Sequence, residues 1–329
     1  MQKDINKFIK IILIFCIPFI MLCLSYFYFD PFKVLYSYDD YYADFFIEPN
    51  RDFVSVEKYF KYKDSQNYTS YIFGSSRLMA WTTDSWGKYI DDKNIYHFDA
   101  YKDNLYGVWC KINLIDRVGE GLKNVLLVIE YDLLTDVSDS TSRLFMKHHI
   151  YSDKSKFEFH NFYFQEYLAA NFYFEFFDYK IFRKRRSYMK QIDLNNKHSS
   201  QYSNNYYISN LDESLKNSPE KYYSRQKFYE HDSVQLFYPE CINEIQIKYL
   251  TDIKKIFDKY STNYKIVISP LYDQKKMDSS DYQKLDEIFG KDNIYDFSGI
   301  NEITKVKENY YDIYHYRPHV ADFILDSIY

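Results

Sequence analysis

The sequence predicts an α/β protein: a parallel-sheet α/β/α sandwich with a long helical, aromatic insertion, preceded by one N-terminal transmembrane helix. Three observations predict it. Short apolar runs at 71–73, 95–98, 125–129, 266–268 and 294–297, several of them β-branched, are separated in several places by helix-compatible stretches. The runs are continuous rather than alternating, and a strand apolar on both sides belongs to a sheet covered on both faces, the habit of parallel strands with crossover helices. Residues 11–29 carry no charge and are long enough, as a helix, to cross a hydrocarbon core of about 30 Å.

The apolar segment comes first in the chain, and its flanks give it a direction. Lys3, Lys7 and Lys10 precede it, whereas Asp30, Asp39, Asp40 and Asp44 follow with only Lys33 among them. The positive-inside rule keeps the N-terminus in the cytoplasm and sends the main domain to the periplasmic or extracellular side. No small-x-small cleavage site closes the apolar region, so it reads as an uncleaved anchor rather than a signal peptide. Cys23, in Met21-Leu22-Cys23-Leu24, lacks the small residue that a lipoprotein signal places before its cysteine.

The expected organisation is a cytoplasmic tip and anchor at 1–30, a juxtamembrane connection at 31–70, a first half-domain at 71–140, an insertion at 141–245 and a second half-domain at 246–329. The insertion starts from a polar linker at 138–142, runs through an aromatic stretch at 157–182 to the basic cluster Arg183, Lys184, Arg185 and Arg186, and becomes rich in Asn and Ser at 195–210. The aromatic part is helix-compatible and the Asn/Ser part reads as loop. The basic run reads as a solvated face rather than a site for a polyanion. His148 and His149, being adjacent, point apart on a helix or strand, which argues against shared metal ligation; no metal site or cofactor is expected.

Composition narrows the function. A net charge of -5 over 329 residues gives no global attraction for nucleic acid or anionic lipid. Tyrosine and phenylalanine number 39 and 28 against seven Gly and seven Pro, which reads as AT-rich codon usage, so the tyrosines alone are no argument for a glycan. Of four cysteines, Cys16 and Cys23 fall in the apolar segment; Cys110 and Cys241 fit no metal spacing and read as two buried thiols.

Chemistry is concentrated near the two ends. Gly74-Ser75-Ser76-Arg77 follows the first apolar run, and Asp312-Ile313-Tyr314-His315 lies close to the C-terminus. A serine presented just past a buried strand, with a histidine and a carboxylate downstream, supplies a nucleophile, a base and a group to orient the base. Open α/β sheets bind ligands beyond their strand C-termini, where this serine would stand.

These blocks resemble the SGNH (GDSL-like) hydrolase superfamily, in particular its membrane-anchored bacterial members associated with surface polysaccharides and acyl transfer. The likeness rests on Gly-x-Ser after the first strand, Asp-x-x-His near the end, and the stretches 294–300 and 311–318, and it covers residues 71–134 and 246–329. The resemblance implies an SGNH/flavodoxin-like fold, Ser76 as nucleophile with Ser75 as the alternative, His315 as base and Asp312 as its orienting acid. It further implies a bacterial cytoplasmic-membrane protein acting on an envelope polysaccharide or other acyl ester, with a multispanning membrane acyltransferase as an expected partner. The family's oxyanion donors have less clear counterparts. Asn104 is the candidate side-chain donor; Arg77 either binds an anionic substrate group or pairs with a surface carboxylate. Glu130 and Asp132 follow the third run, where a carboxylate would repel an oxyanion. Two functions therefore follow: a serine esterase or O-acyltransferase, or a catalytically inactive SGNH-like assembly or glycan-binding protein of a polysaccharide export system.

Overall fold

The computed structural model describes residues 2–231 and 233–329; the side chains of residues 1–4, Lys3 among them, lie outside the described residues. The chain divides into two compact units. One joins the residues up to Pro49 with Lys154–Leu194, and the other joins Asn50–Asp153 with Asn195–Tyr329. The stretch expected as a single insertion at 141–245 is thus shared between them.

In the first unit a helix runs over Gln2–Phe29 and passes through Pro18. Its segment Ile5–Phe29 is long and apolar enough to cross a membrane. Asp30 ends it. Its backbone turns to φ 38°, and its carboxylate accepts the amides of Val34, Leu35 and Tyr36 and the Tyr38 hydroxyl, so one side chain gathers four donors where the helix stops. The aromatic stretch is helical as expected, but as two helices, Lys156–Leu168 and Ala170–Phe182. A Ser155/Glu158 capping box starts the first, and Ala169, extended at ψ 124°, separates them.

The second unit holds a five-stranded parallel sheet of β1 (Ser70–Gly74), β2 (Ile95–Asp99), β3 (Asn124–Ile129), β6 (Asn263–Ile268) and β7 (Ile294–Asp296), in the order β2-β1-β3-β6-β7. Each lies at an expected apolar run, and the reason for the continuous pattern is visible in the packing. Tyr71, Phe73, Val125, Leu127, Ile129, Ile266 and Ile268 point to a core closed by the helices Arg51–Gln66, Leu105–Arg117, Glu244–Tyr260 and Ser279–Phe289. Ile72, Leu126, Val128 and Val267, the residues between, point to a second core closed by Thr83–Ile90 and Pro318–Ile328. Alternate residues serve opposite faces, so both sets must be apolar. The direction of winding reverses between β1 and β3, which opens a crevice beyond the C-terminal end of β1.

Three local expectations need correction. The Asn/Ser-rich stretch is not simply loop: β4 (Lys197–Ser199) and β5 (Tyr206–Ile208) pair antiparallel, and a helix, Ser209–Asn217, follows. The organising residue is Asn204, at φ 61° and fully buried, whose amide donates to the His97 carbonyl at 2.7 Å and Ser55 Oγ at 3.1 Å. Local composition does not show those distant acceptors. His148 and His149 do not point apart, because they lie in an irregular turn rather than a helix or strand, and their rings stack with centroids 4.4 Å apart. The aromatic stretch and the Asn/Ser stretch, finally, belong to different units. Cys110 and Cys241 are free and buried, and burial pushes both thiols up to about 12.

Candidate functional site

The end of β1 is shaped by Gly74. A Cβ there would stand 2.7 Å from the Val128 carbonyl oxygen of β3, so only glycine lets the two backbones close. The chain then enters a 3-10 turn, Ser76–Ala80, capped by the Ser75 hydroxyl, which accepts the Arg77 amide at 3.4 Å. Ser75 also donates to Glu130 Oε1 and is buried. Ser76 faces elsewhere: its Oγ lies 3.1 Å from His315 Nε2, across 239 positions of sequence.

His315 is held from its other side. Its Nδ1 lies 3.0 and 3.1 Å from the two carboxylate oxygens of Asp312, and Asp312 Oδ1 also accepts the amides of Tyr314 at 2.7 Å and His315 at 3.0 Å. Burial acts to raise the Asp312 carboxyl, but the hydrogen bond and charge of His315 and the two amides outweigh it and hold the group below the usual carboxylate range. The loop is pinned at both ends by an antiparallel bridge between Tyr310 and Tyr316, and the Tyr310 hydroxyl donates to the Pro270 carbonyl at 2.9 Å.

Two struts tie the serine turn to the histidine loop. The Trp81 indole donates to the Tyr316 hydroxyl at 2.7 Å, and Arg77 Nε donates to the Tyr314 carbonyl at 3.2 Å. The rest of the Arg77 fork binds Glu130 Oε1 at 2.7 Å and Asp132 Oδ2 at 3.1 Å. Of the two roles expected for Arg77, the structure gives carboxylate pairing, and its main partner is the buried Glu130 rather than a surface group. The same contacts change the meaning of Glu130 and Asp132. Both carboxylates share the single Arg77 guanidinium, which offsets one of their two charges, and Asp132 stays exposed at the crevice.

Asn104 caps the helix Leu105–Arg117, its Oδ1 accepting the Gly107 amide at 2.9 Å and its Nδ2 donating to the Ser138 carbonyl at 2.7 Å. It lines a cavity of about 520 Å³ together with Ser76, His315, Lys102 and Asp136. Beside this cavity a groove of about 620 Å³ shares Arg77, Asp132 and Tyr314 with it, and carries the rings of Tyr131 and Tyr238 stacked at 4.4 Å.

The floor beneath the site is ionic and buried. Asp103 accepts Lys111 and Lys147, each at 2.5 Å, and a Cβ at Gly107 would strike this pair, which explains the glycine one turn into the helix. On the neighbouring side Arg51 binds both oxygens of Asp99, at 3.0 and 2.9 Å, while His97 spans from Asp99 Oδ1 at 3.2 Å to the Leu78 carbonyl of the serine turn at 2.9 Å. Burial alone would raise the Asp99 carboxyl; Arg51 and His97 hold it far below its ordinary value.

Sequence reasoning does not single out Lys102, Trp81, Tyr316 or the Arg51–Asp99–His97 set, because their partners are distant along the chain. Lys102 alone carries a signal, since it lies in the block after β2 that supplies Asn104. No group of three or more His, Cys, Asp or Glu side chains among the described residues is placed to hold a metal ion. The chain matches no model of a known protein family, and no curated protein matches it.

Proposed function

We propose that this protein is a membrane-anchored serine esterase or O-acyltransferase of the SGNH-like kind, acting on a cell-envelope polysaccharide outside the cytoplasmic membrane. The observation that carries the reading is the linear set Ser76 Oγ, His315 Nε2, His315 Nδ1 and Asp312, with successive separations of 3.1 and 3.0 Å. In the first half-reaction Ser76 Oγ attacks the ester carbonyl carbon while His315 Nε2 takes its proton. The tetrahedral intermediate collapses, the bond to the alcohol oxygen breaks, and His315 returns the proton to that alcohol. The acyl-enzyme is then attacked by water or a sugar hydroxyl, whose proton passes to His315 and on to Ser76 as the ester bond to the serine breaks. Asp312 stays ionised and holds the ring.

Support for the oxyanion site is backbone rather than side chain: Ser76 opens its turn, and a first-turn amide has no partner in the turn's own ladder. Arg77 offsets one of the two negative charges of Glu130 and Asp132. The groove beside the cavity, with its stacked Tyr131 and Tyr238, supports an extended substrate whose sugar faces pack on aromatic rings. The anchored, outward-facing placement rests on Lys3, Lys7 and Lys10 ahead of the uncharged stretch 11–29 and the aspartates after it. The reading predicts release of acyl groups from small acetyl esters or an acetylated glycan by the purified full-length protein, lost in Ser76→Ala. Turnover that persists undiminished in that variant would dismiss it.

A further inference from the structure

The long apolar helix of the first unit does not end as a bare rod. Where it stops, the two helices Lys156–Leu168 and Ala170–Phe182 close on it. Tyr26 packs on Phe164 and Tyr167 with centroids 5.2 and 5.3 Å apart, Phe29 on Phe176 and Phe177 at 5.8 and 5.7 Å, and Phe32 on Tyr163 and Phe172 at 5.5 and 4.6 Å. The Ser25 and Tyr167 hydroxyls share a hydrogen bond of 2.6 Å. These contacts all fall at residues 25–32. The uncharged stretch 11–29 is about 28 Å long at a helical rise of about 1.5 Å per residue. That matches the roughly 30 Å of hydrocarbon a span must cross, so its last turn and the charged Asp30 after it stand at the membrane boundary, and the two packed helices stand there with them.

What these helices leave uncovered fits that depth. Phe174, Ile181 and Phe182 are 67, 66 and 63% exposed and share one helix face at i, i+7 and i+8. Residues 181–188 are all exposed and include Lys184 and Arg185, while Arg186 pairs with Asp178, the carboxylate within this face at i+4 from Phe174, at 2.6 and 3.0 Å. Phenylalanine and other apolar side chains on one face of an interfacial helix bury at the headgroup/acyl boundary, and lysine and arginine beside them meet anionic headgroups.

We propose that the helix pair 156–182 with the basic run 183–186 is a second membrane contact, a foot lying in the headgroup layer of the leaflet where the helix Gln2–Phe29 ends. Phe174, Ile181 and Phe182 sit at the acyl boundary, and Lys184 and Arg185 meet lipid phosphates. A lipid surface is the occupant because the foot is continuous with the spanning helix, which fixes its depth. The inference is independent of the chemistry at Ser76 and requires only that the first helix cross a bilayer.

The test uses the full-length protein, with its native cysteines replaced, in phosphatidylcholine bilayers with and without phosphatidylglycerol. A nitroxide is placed singly through Ile14→Cys, Phe174→Cys or Ile181→Cys. Collision with oxygen relative to a water-soluble nickel complex should be several-fold above that of free label at all three, with 174 and 181 shallower than 14. Lys184→Gln with Arg185→Gln should shift 174 and 181 toward water only where phosphatidylglycerol is present. Labels at 174 and 181 that meet nickel as freely as free label, while 14 stays protected, would overturn the proposal; so would spin–spin broadening that shows a second copy covering the face. An aqueous label at 14 would remove the span on which the foot depends. In the unaltered protein, a phospholipid with a photoreactive headgroup should cross-link peptides from 170–186, and cross-links confined to 2–29 would also overturn it.

Discussion

The indole of Trp81 and the hydroxyl of Tyr316 meet at 2.7 Å in the interior, 235 positions apart in sequence, and join the end of the serine turn to the residue that follows His315. Both rings are only 1% exposed, and burial, the largest influence on it, pushes the Tyr316 hydroxyl up to about 12. The contact sets where two otherwise separate loops stand. Tyr316→Phe strands a buried donor, a loss of about 1–3 kcal/mol. Urea unfolding should show that loss, and ester turnover at temperatures where the variant is fully folded should fall at least tenfold as Ser76 and His315 drift apart. Full turnover in a folded Tyr316→Phe protein would mean that the Arg77–Tyr314 strut suffices.

Gly74→Ala tests the close approach of β1 and β3. Its Cβ would stand 2.7 Å from a backbone oxygen, and backbone cannot swing aside as a side-chain end can. We expect destabilisation of about 1–3 kcal/mol from overpacking, read as a lower denaturation midpoint, and a further drop in turnover because Ser76 is two residues on. A variant as stable as the parent would show that the strands part at no cost.

The Arg51–Asp99 pair carries a pH prediction. The folded value of Asp99 lies below its unfolded value of about 3.9. Between the two values the unfolded chain binds the extra proton, so this contribution is complete above the unfolded value and is lost as pH falls through the folded one. The parent should therefore lose stability steeply below about pH 4. Asp99→Asn should already be less stable at neutral pH, by about 3–5 kcal/mol for a buried ion left alone, and should show a shallower acid slope. Parallel slopes for the two proteins would assign acid sensitivity to other carboxylates.

The five strands were legible because both faces of the sheet are covered, which leaves in each strand a short, mostly apolar run that stands out from polar surroundings, His97 in β2 being a polar exception inside one. Ser76, Asp312 and His315 could be named because each sits in a short block at a strand end or near the C-terminus. Arg77 shows where reading along the chain fails. Its role depends on Glu130, 53 positions away, and nothing near residue 77 announces a buried carboxylate. Asn204 is the same case in another form, since it folds an Asn/Ser-rich stretch by bonding to His97, 107 positions distant. The stacked pair His148 and His149 misleads for a different reason: adjacent side chains diverge only in regular structure, and these two are in a turn.

Ser75 and Ser76 can be told apart by what each hydroxyl touches. Ser75→Ala removes a cap and a hydrogen bond to Glu130, a cost of about 1 kcal/mol, while Glu130 keeps Arg77 as its partner. Thermal unfolding should register the small loss and turnover should stay within a few-fold of the parent. Abolition of turnover by Ser75→Ala in a folded protein would exchange the roles of the two serines.

The most direct test of the Ser76–His315–Asp312 set is covalent. A fluorophosphonate probe applied to the folded full-length protein should modify one residue, mapped by peptide mass to Ser76, because that hydroxyl has an imidazole at 3.1 Å, itself oriented by Asp312, to take its proton. Labelling should vanish in Ser76→Ala, fall on the order of 10⁴-fold or more in His315→Ala, fall less in Asp312→Asn and persist in Ser75→Ala. A cooperatively folded protein that takes no label, or that labels at the same rate without His315, would contradict the account.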